Sequence, residues 1–488
     1  MILIKKTLFI LSMICISEFV FANNPMGFEE FGFCKNHEHI SMSDFRNNLY
    51  KIKNTKKLSM NKSEFHFDTD AYGGMKTLKG KASKYFHLEK IDGRHCLVTP
   101  DGFGFITLGV NHIGAINEKS PNDIFQENHN NDSKSVCFQA RADLLDWNFN
   151  TVGYHSFHEI WKHMPAMASC YPVMNSQWRS EDEFSYGDVW DSEFQQSVID
   201  SITMMIRRAS SNPNVIGYYW NDIPLWNLER ARSIKGMDWV SYIRSLPSSA
   251  AGKIKYIEFL KQKYGEDVQE IANLYGEIAS NWSELSVSKF ENIDYNNQVI
   301  LSADYEFLRL IARELYRVHG ETTRGLDPDR LVFGERYFLK DHPIEVLEEA
   351  APWIDVISIQ PYGNAVYTEE LDGLYAAMKK PIIICDHQIP FAENGYDKIM
   401  WNEEESQEIA GRAYRQYLQV LFSKSYIIGY HRCQYVSRTV GAKLKQGLRD
   451  ENEEPYTTYI NYIRDANQEI LNTISRGKME LTAMKLDL

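Results

Sequence analysis

Eight short apolar runs, each followed by a helical segment or a long loop, constrain the fold of this chain more than any other feature. The runs predict strands at 105–111, 150–156, 167–174, 215–222, 330–337, 355–362, 381–388 and 427–435. Most runs are almost continuously apolar, which is typical of strands in a parallel sheet that helices cover. The alternation therefore predicts an α/β protein with a (β/α)8 TIM barrel. A doubly wound sheet is the structural rival, but no glycine-rich phosphate loop follows the first run.

The segments outside the strands predict the domain organisation. The barrel is expected to span 86–475, with a helical insertion at 253–275 and 305–325 after the fourth strand. Residues 23–85 are polar and irregular, and we expect an N-terminal extension that packs on the barrel and contains short strands. Two Asp-Gly pairs, at Asp92 and Asp101, predict hairpins ahead of the first barrel strand. Residues 476–488 are expected to form a tail.

The first 22 residues predict export. Lys5 and Lys6 precede an apolar run at 7–21, and Val20 and Ala22 occupy the small-residue positions of a cleavage site. These features predict a secretory signal peptide cleaved after Ala22, and a secreted or periplasmic protein. No later stretch reaches the roughly 18 consecutive apolar residues that a membrane-spanning helix needs.

Charge and cysteine usage exclude several function classes. The formal net charge of −13 at pH 7 gives the chain no general attraction for nucleic acids or anionic membranes. The cysteines beyond the signal peptide are scattered, with no CxxC pair and no metal-ligand spacing, so we expect neither a metal site nor a cofactor. Free buried thiols are favoured over disulfides. No pattern in the sequence indicates an oligomeric state.

Polar and aromatic residues cluster at the predicted C-terminal ends of the strands. In a barrel these ends converge on one mouth, where active sites are built. The residues are Asn111, His112, His155, Trp220, Asn221, Asp222, Glu335, Arg336, Tyr337, Gln360, Tyr362, Asp386, His387, His431, Arg432, Gln434 and Tyr435. Acids and amides bind hydroxyls, and aromatic faces stack on pyranose rings. The set therefore predicts a carbohydrate-binding site.

Two acids among these residues predict chemistry. Asp222 ends the fourth predicted strand and Asp386 the seventh, so their carboxylates are expected to face each other across the barrel axis. Glycoside hydrolysis needs such a pair, one protonated to assist the leaving oxygen and one ionised to attack or to activate water. Tyr362 is expected to orient the second carboxylate. Glu335 is the spare acid, and its alternative role is a salt bridge to Arg336.

Other candidates predict substrate contacts. Asn221 is expected to hold a sugar hydroxyl, and Trp220 or Trp226 to form a stacking platform. Arg336 and Arg432 would suit a sugar that carries a carboxylate or a sulfate, through bidentate bonding. Structural salt bridges explain an arginine equally well.

The segment around the first acid, GYYWNDIPLW at 217–226, resembles the Asn-Glu-hydrophobe-Pro segment of clan A glycoside hydrolases. Within that clan the chain most resembles the exo-acting β-agarases of family 50, because further matching segments follow in family order. They are EKIDGRHCLVTPDGFGFITLGVNHI, LLDWNFNTVGYHS, DVWDSEF, FLKQKYGEDVQEIANLYG, RLVFGERYF, APWIDVISIQPYG, KPIIICDHQIPF and IIGYHRCQYVSR. The resemblance covers roughly residues 86–456 and implies a barrel that hydrolyses glycosidic bonds.

Carried over by position, the resemblance implies Asp222 as acid/base, Asp386 as nucleophile and Asn221 as a sugar contact. The family has Glu at both acid positions, and Asp is one methylene shorter. The two changes could widen the carboxylate gap from the roughly 5–5.5 Å of a retaining site toward the roughly 6.5–9.5 Å that admits a water molecule. His387 and Arg432 also depart from the family pattern, so the resemblance does not imply agarose itself as the substrate.

Three functions remain open from the sequence. The first is a secreted hydrolase that cleaves a neutral or anionic polysaccharide or an oligosaccharide derived from it. The second is a polysaccharide lyase on the same barrel, with His155, Tyr362 or His431 as base and an arginine neutralising a uronic carboxylate. The third is a non-catalytic carbohydrate-binding barrel, which the replacement of both Glu residues favours. A lyase product absorbs in the ultraviolet, whereas a hydrolase product does not.

Overall fold

The strands follow the predicted order. The computed structural model describes residues 68–114, 132–265, 267–393, 402–437 and 446–477. The predicted signal peptide, residues 23–67 of the extension and 478–488 of the tail lie outside these ranges. The described strands are β1 (Met75–Lys79), β2 (His87–Ile91), β3 (Arg94–Val98), β4 (Phe103–Phe105), β5 (Thr107–Val110), β6 (Thr151–Val152), β7 (Ala166–Ser169), β8 (Val215–Asp222), β9 (Leu331–Phe338), β10 (Ile357–Gln360), β11 (Ile382–His387) and β12 (Ile427–Arg432).

Strands β5 to β12 form a closed barrel in sequence order, and β12 pairs with β5 to complete the ring. Each neighbouring pair is parallel. The predicted (β/α)8 barrel is therefore confirmed, including all eight strands. The second strand is shorter than expected, because the backbone of His155 turns into the left-handed region at φ 54° and ends the extended run.

Helices surround the barrel. They are α1 (Ser133–Asp146), a 3-10 helix (His158–Lys162), α2 (Ser192–Ala209), α3 (Leu228–Lys235), α4 (Trp239–Ser245), α5 (Ala251–Tyr264), α6 (Val268–Leu274), α7 (Trp282–Val287), α8 (Gln298–Leu326), α9 (Ile344–Ala350), α10 (Thr368–Met378), α11 (Gln407–Phe422) and α12 (Thr457–Ser475). Several begin at side-chain caps. Asp191 accepts backbone hydrogen bonds at the start of α2, and Ser406 does so at the start of α11.

The helical insertion after β8 is more divided than predicted. The expected helix at 253–275 is two helices, α5 and α6, because Gly265 adopts φ 84° and ends the first. The expected helix at 305–325 begins earlier, at Gln298, where Asn297 caps the 29-residue helix α8. One face of α8 is buried against the barrel.

An antiparallel sheet in the order β1-β4-β3-β2 covers the N-terminal end of the barrel. Phe86, Leu97 and Phe105 join one buried cluster with Ile383 and Ile428, the second residues of β11 and β12. The predicted hairpins are confirmed, since β2 pairs with β3 and β3 with β4 in antiparallel register. Because this sheet covers the N-terminal end, the mouth at the other end is the place for a site.

Two further sequence expectations can be compared with the described ranges. Their five cysteines are all buried and form no disulfide with one another, as expected: Cys96, Cys137, Cys170, Cys385 and Cys433. None of the helices in these ranges combines the length and the apolar character that crossing a membrane requires.

Candidate active site

Asp222 is held at the C-terminal end of β8 by two donors. Arg336 Nε lies 3.3 Å from its Oδ1, and Gln360 Nε2 donates to the same oxygen at 2.6 Å. The side chain is 15% exposed, and no donor among the described residues bonds to Oδ2. One carboxylate oxygen is therefore fixed by the barrel, while the other is left for a ligand.

Asp386 lies near the end of β11, three strands from β8 around the ring. Asn111 Nδ2 donates to its Oδ1 at 2.8 Å and to the backbone carbonyl of Cys385, also at 2.8 Å. Asp386 is only 1% exposed. The amide of Asn111 thus fixes the second carboxylate as Gln360 fixes the first.

The carboxylates of Asp222 and Asp386 both influence the pKa values of the same two tyrosines, Tyr154 and Tyr362. Burial, followed by Asp386 and then Asp222, raises the pKa of Tyr154 well above its usual value, and the same causes raise the pKa of Tyr362. Tyr362 also donates to Gln360 Oε1, the amide that holds Asp222. Both phenols therefore stay protonated at neutral pH and lie within electrostatic range of both acids. The structure brings the two predicted acids to one mouth.

Backbone strain is concentrated around this mouth. His112, His155, Ile223 and Tyr362 each follow the end of a barrel strand, and their φ angles are 57°, 54°, 40° and 36°. Such left-handed conformations cost about 1–3 kcal/mol each for residues other than glycine, and they recur at functional sites. Here they redirect the chain at the strand ends, so that side chains are brought to the mouth.

His112 and His155 form a pair beside Asp386. Their Nδ1 atoms are 3.3 Å apart and their ring centroids 4.6 Å apart, and Tyr171 OH lies 3.4 Å from His155 Nδ1. Their predicted place at the mouth is therefore confirmed. A contact between either ring and a substrate stays a prediction.

One set of side chains at the mouth offers metal-ligating atoms. His112, Asp386 and Cys433 each present one such atom, and the three atoms lie within 4.8 Å of one another. Ligands about 2.0–2.3 Å from a tetrahedral zinc ion are roughly 3.3–3.8 Å apart. One of these three ligands would be a carboxylate already bound by Asn111.

Glu335 lies behind the mouth rather than in it. Its carboxylate accepts hydrogen bonds from Asn221 Nδ2 and Trp226 Nε1, each at 2.7 Å, and from Tyr316 OH on α8. Burial raises its pKa. The backbone N–H of Val173 donates to Asn221 Oδ1 at 3.0 Å. Both polar atoms of the fully buried Asn221 amide thus have protein partners, so Asn221 supports the mouth instead of presenting an exposed amide to a sugar.

The structure corrects the predicted platform at Trp220. This indole is fully buried between the barrel and α8, where Nε1 lies 3.3 Å from Thr323 Oγ1 and the ring stacks on Tyr316. The pairing of β8 with β9 shifts register twice, before Tyr219 and again before Asp222. Such bulges change the face on which a side chain lies, so simple alternation along the strand could not predict it.

Two residues that were predicted to contact substrate, at the ends of β11 and β12, do not face the mouth, so these predictions are wrong. His387 faces α11, where it stacks on Tyr417 at 4.3 Å and lies 2.6 Å from the carbonyl oxygen of Gly363. The guanidinium of Arg432 donates to the carbonyl oxygens of Cys433, Gln434 and Gln446 at 3.1 Å and of Gly447 at 3.3 Å. Both side chains are fully buried, and neither is directed at a substrate.

His431 lies inside the barrel, below the mouth. Its Nε2 is 2.7 Å from Thr107 Oγ1, and burial lowers its pKa to about 3. Gly109 makes room for the ring, because a Cβ there would lie 2.7 Å from it. The imidazole is therefore neutral and out of reach of a sugar at the mouth, so the predicted substrate contact is corrected as well.

The sequence analysis missed the loop after β7. Tyr171 OH lies 3.4 Å from Arg336 Nη2, and Trp178 meets Tyr362 edge to face at 6.4 Å between ring centroids. Arg179 lies over the ring of Tyr171 at 5.7 Å. The signal was the segment YPVMNSQWR, which mixes aromatic and basic residues directly after a barrel strand.

Comparisons with known proteins agree with this architecture. No family profile matches the chain. β-Agarase B of Vibrio sp. (strain JT0107) is 21% identical over 347 residues, which is 67% of this chain and 35% of that protein. The chain thus spans about a third of the length of the curated relative that it matches.

Solved structures share the fold at lower identity. An exo-β-agarase structure superposes with a TM-score of 0.72 at 17% identity, covering 84% of this chain and 68% of the other. The agarase AgWH50C gives 0.71 at 17% identity and covers 91% and 72%, and PfGH50B gives 0.72 at 17% and covers 91% and 73%. This chain therefore has the same barrel fold as known agarases.

Proposed function

We propose that this protein is a glycoside hydrolase that cleaves a polysaccharide, or an oligosaccharide from it, with Asp222 and Asp386 as its carboxylate pair. The observation that carries the proposal is the placement of these two acids at the ends of β8 and β11, each held by an amide. The similarity to β-agarase B supports the same reaction class. Agarose itself is not part of the proposal.

Asp222 is assigned the role of proton donor to the glycosidic oxygen. Its Oδ1 is occupied by Arg336 and Gln360, so Oδ2 is the oxygen that carries and delivers the proton. Transfer of that proton lets the bond between the anomeric carbon and the leaving oxygen break, and the bonding electrons leave with the oxygen. Asp222 then takes a proton back from water in a later step.

Asp386 is assigned the role of the ionised partner. If it lies close enough to the anomeric carbon, its carboxylate adds there and forms an ester that water later hydrolyses, so that the anomeric configuration is retained. If a water molecule fits between, Asp386 removes a proton from that water and the configuration is inverted. Proton NMR of the first product anomer distinguishes the two routes.

Replacing either acid by its amide tests the assignment. We expect Asp222→Asn and Asp386→Asn each to lower kcat by roughly a hundredfold or more, because each removes a proton transfer or a nucleophile. The control is Asp200→Asn, the same change at an exposed carboxylate on α2. Reducing ends and ultraviolet absorbance are followed together. Near-wild-type turnover in either amide variant would remove that residue from the mechanism.

The lyase alternative has less support from the site. Of its three candidate bases, His431 lies inside the barrel with a pKa of about 3. Of the two arginines offered for a uronic carboxylate, Arg432 is bound to backbone carbonyls and Arg336 to Asp222. His155 and Tyr362 remain as bases. Absorbance that rises together with reducing ends would favour a lyase over the hydrolase.

We also propose that the protein is exported, on the basis of the N-terminal segment 1–22. The mature chain would then begin at Asn23, and the protein would be secreted or periplasmic. N-terminal sequencing of the protein isolated from its native host tests this. A chain that still begins at Met1 would contradict export by this route.

A further inference from the structure

We propose that the mouth of this barrel binds an anionic glycan, and that Arg179 binds a carboxylate or sulfate group of the sugar chain. This inference rests on the proposed hydrolase function and specifies its substrate class. It assigns a role to the loop after β7, at 170–190, which the reaction scheme above does not use.

This loop is fixed directly beside the proposed proton donor. The backbone N–H of Gln177 donates to the carbonyl of Ile223 at 3.1 Å, and that of Leu225 to the carbonyl of Asn175 at 3.0 Å. Ser176 and Pro224 also form an isolated bridge. Because Ile223 follows Asp222 in the chain, the loop and the acid hold a defined spacing.

Arg179 is half-buried, and the described residues satisfy only part of the hydrogen-bonding and ion-pairing capacity of its guanidinium. Within the described ranges, no carboxylate oxygen lies at ion-pair distance from its guanidinium, and its Nε is buried without a hydrogen-bond acceptor. Burial lowers its pKa, while the more distant Glu183 and Asp222 raise it. Withdrawing a charge from water without a partner costs free energy. A bound anion would offset that cost.

The neighbouring arginines differ from Arg179 because protein groups already accept hydrogen bonds from their guanidiniums. Arg336 donates to Asp222 and to the carbonyl oxygen of Trp220. Arg230 binds Gln177 and forms an ion pair of 2.6 Å with Asp341. Of these three cations beside the acid, Arg179 alone has guanidinium nitrogens that the described residues leave for a ligand.

Aromatic rings lead from Arg179 toward the acids. The guanidinium lies 5.7 Å from the centre of the Tyr171 ring, and that ring lies 5.2 Å from His155. Trp178, the residue before Arg179 in the chain, meets Tyr362 edge to face. Aromatic faces suit sugar rings, and the guanidinium suits the paired oxygens of a carboxylate or sulfate. The arrangement fits a sugar bound at the acids with its anionic group at Arg179.

Charge explains why a dedicated cation would be needed. The net charge of −13 repels a polyanion at long range. Asp386, the proposed ionised partner, repels it further at short range. An anionic glycan would therefore bind only where a local positive group offsets this repulsion, whereas a neutral glycan would gain only ordinary hydrogen bonds from Arg179.

The test measures binding by calorimetry in the Asp386→Asn variant of the full chain, so that turnover does not interfere. One probe pair is a sulfated galactan and its chemically desulfated form, and the other is an oligogalacturonate and its methyl ester. We expect Arg179→Gln to weaken binding of the charged member of one pair by roughly ten- to a hundredfold, since charge-assisted hydrogen bonds contribute about 1.5–3 kcal/mol. Binding of the uncharged member should change less than about twofold. The pair that responds identifies sulfate or carboxylate.

Two further variants control the experiment. Arg207→Gln makes the same change at an exposed position on α2 and should leave all four affinities unchanged. Arg179→Lys keeps the charge and should restore part of the affinity, which a loop that fails to fold would not do. Equal weakening of charged and uncharged members by Arg179→Gln would overturn the proposal. So would binding of neither charged member by the Asp386→Asn protein.

The same materials separate this inference from the hydrolase assignment. If the unmodified enzyme releases reducing ends from the uncharged members and Arg179→Gln changes nothing, the anion site is wrong and the hydrolase stands. If binding depends on Arg179 but no reducing ends appear, the anion site stands and the hydrolase is wrong.

Discussion

Arg336 and Arg432 each lie close to the end of a barrel strand, yet they have different partners. Arg336 faces the mouth, where its guanidinium contacts Asp222 and lies 4.1 Å over the ring of Tyr154. Arg432 faces outward and ties β12 to the carbonyls of Gln446 and Gly447. At the scale of single residues, the direction of a side chain decides whether an arginine holds a group at the mouth or the outer packing of the fold.

We expect Arg432→Lys to destabilise the fold by about 3 kcal/mol or more, because one ammonium cannot replace four charge-assisted hydrogen bonds to backbone carbonyls. The Michaelis constant for substrate should stay within about twofold, since the side chain does not reach the mouth. Urea unfolding and steady-state kinetics measure the two effects. Arg464→Lys, at a partly exposed site on α12, is the matched control. A large rise in the Michaelis constant with normal stability would restore Arg432 as a substrate contact.

Among the elements, α8 supports the site from outside the barrel. Its Tyr316 donates to Glu335, and its Thr323 contacts the indole of Trp220. Glu335 in turn binds the amide of Asn221, the residue before Asp222. The position of this long helix is thus connected to the proposed proton donor through a buried chain of hydrogen bonds.

Close packing at Gly320 sets how near α8 approaches the segment before β10. A Cβ at this position would lie 2.1 Å from the ring of Trp353. We expect Gly320→Ala to destabilise the protein by about 1–3 kcal/mol through overpacking, despite the gain in helix propensity of up to about 1 kcal/mol. Gly325→Ala on the same helix meets nothing within 4 Å, so it should leave stability unchanged or raise it. Thermal unfolding compares them, and equal effects would show that the contact with Trp353 relaxes at no cost.

At the scale of the whole molecule, three histidines in the described ranges that have no exposed surface stay neutral. Burial lowers the pKa of His319 and of His387 to about 4 and that of His431 to about 3. An unfolded chain binds protons at these residues below about pH 6.5, whereas the folded chain does not. The stability that they contribute is therefore present above that pH and is lost as the pH falls toward 4. Buried acids with raised pKa values, such as Glu335, oppose this trend.

We expect the free energy of unfolding of the wild-type protein to fall by about 2 kcal/mol more than that of His387→Gln between pH 6.5 and 4.5, since only the wild type must keep this imidazole unprotonated. Denaturant unfolding at several pH values gives both curves. The exposed His158→Gln variant is the control and should run parallel to the wild type. Parallel curves for His387→Gln would mean that the folded protein accepts a proton at His387.

The sequence was sufficient for the barrel and for the two acids. Apolar runs with intervening helices specify a parallel barrel, and the strand ends mark its mouth, so Asp222, Asp386, Asn111 and the pair His112 and His155 could be placed in advance. The sequence could not show that other predicted sugar contacts, such as Trp220, His387 and Arg432, are directed away from the mouth. His387 and Arg432 are as polar as their neighbours, and a register shift before Asp222 removes the alternation that would have placed Trp220.

By itself, then, the sequence determined the order of the strands and the positions where the acids meet, because these depend on the periodicity of apolar residues along the chain. Only the tertiary structure decided which polar side chains are saturated by the protein and which are left for a ligand. That distinction depends on partners far apart in sequence, such as Arg432 with Gln446 or Asp222 with Gln360. It is also what separates Arg179 from the paired arginines beside it.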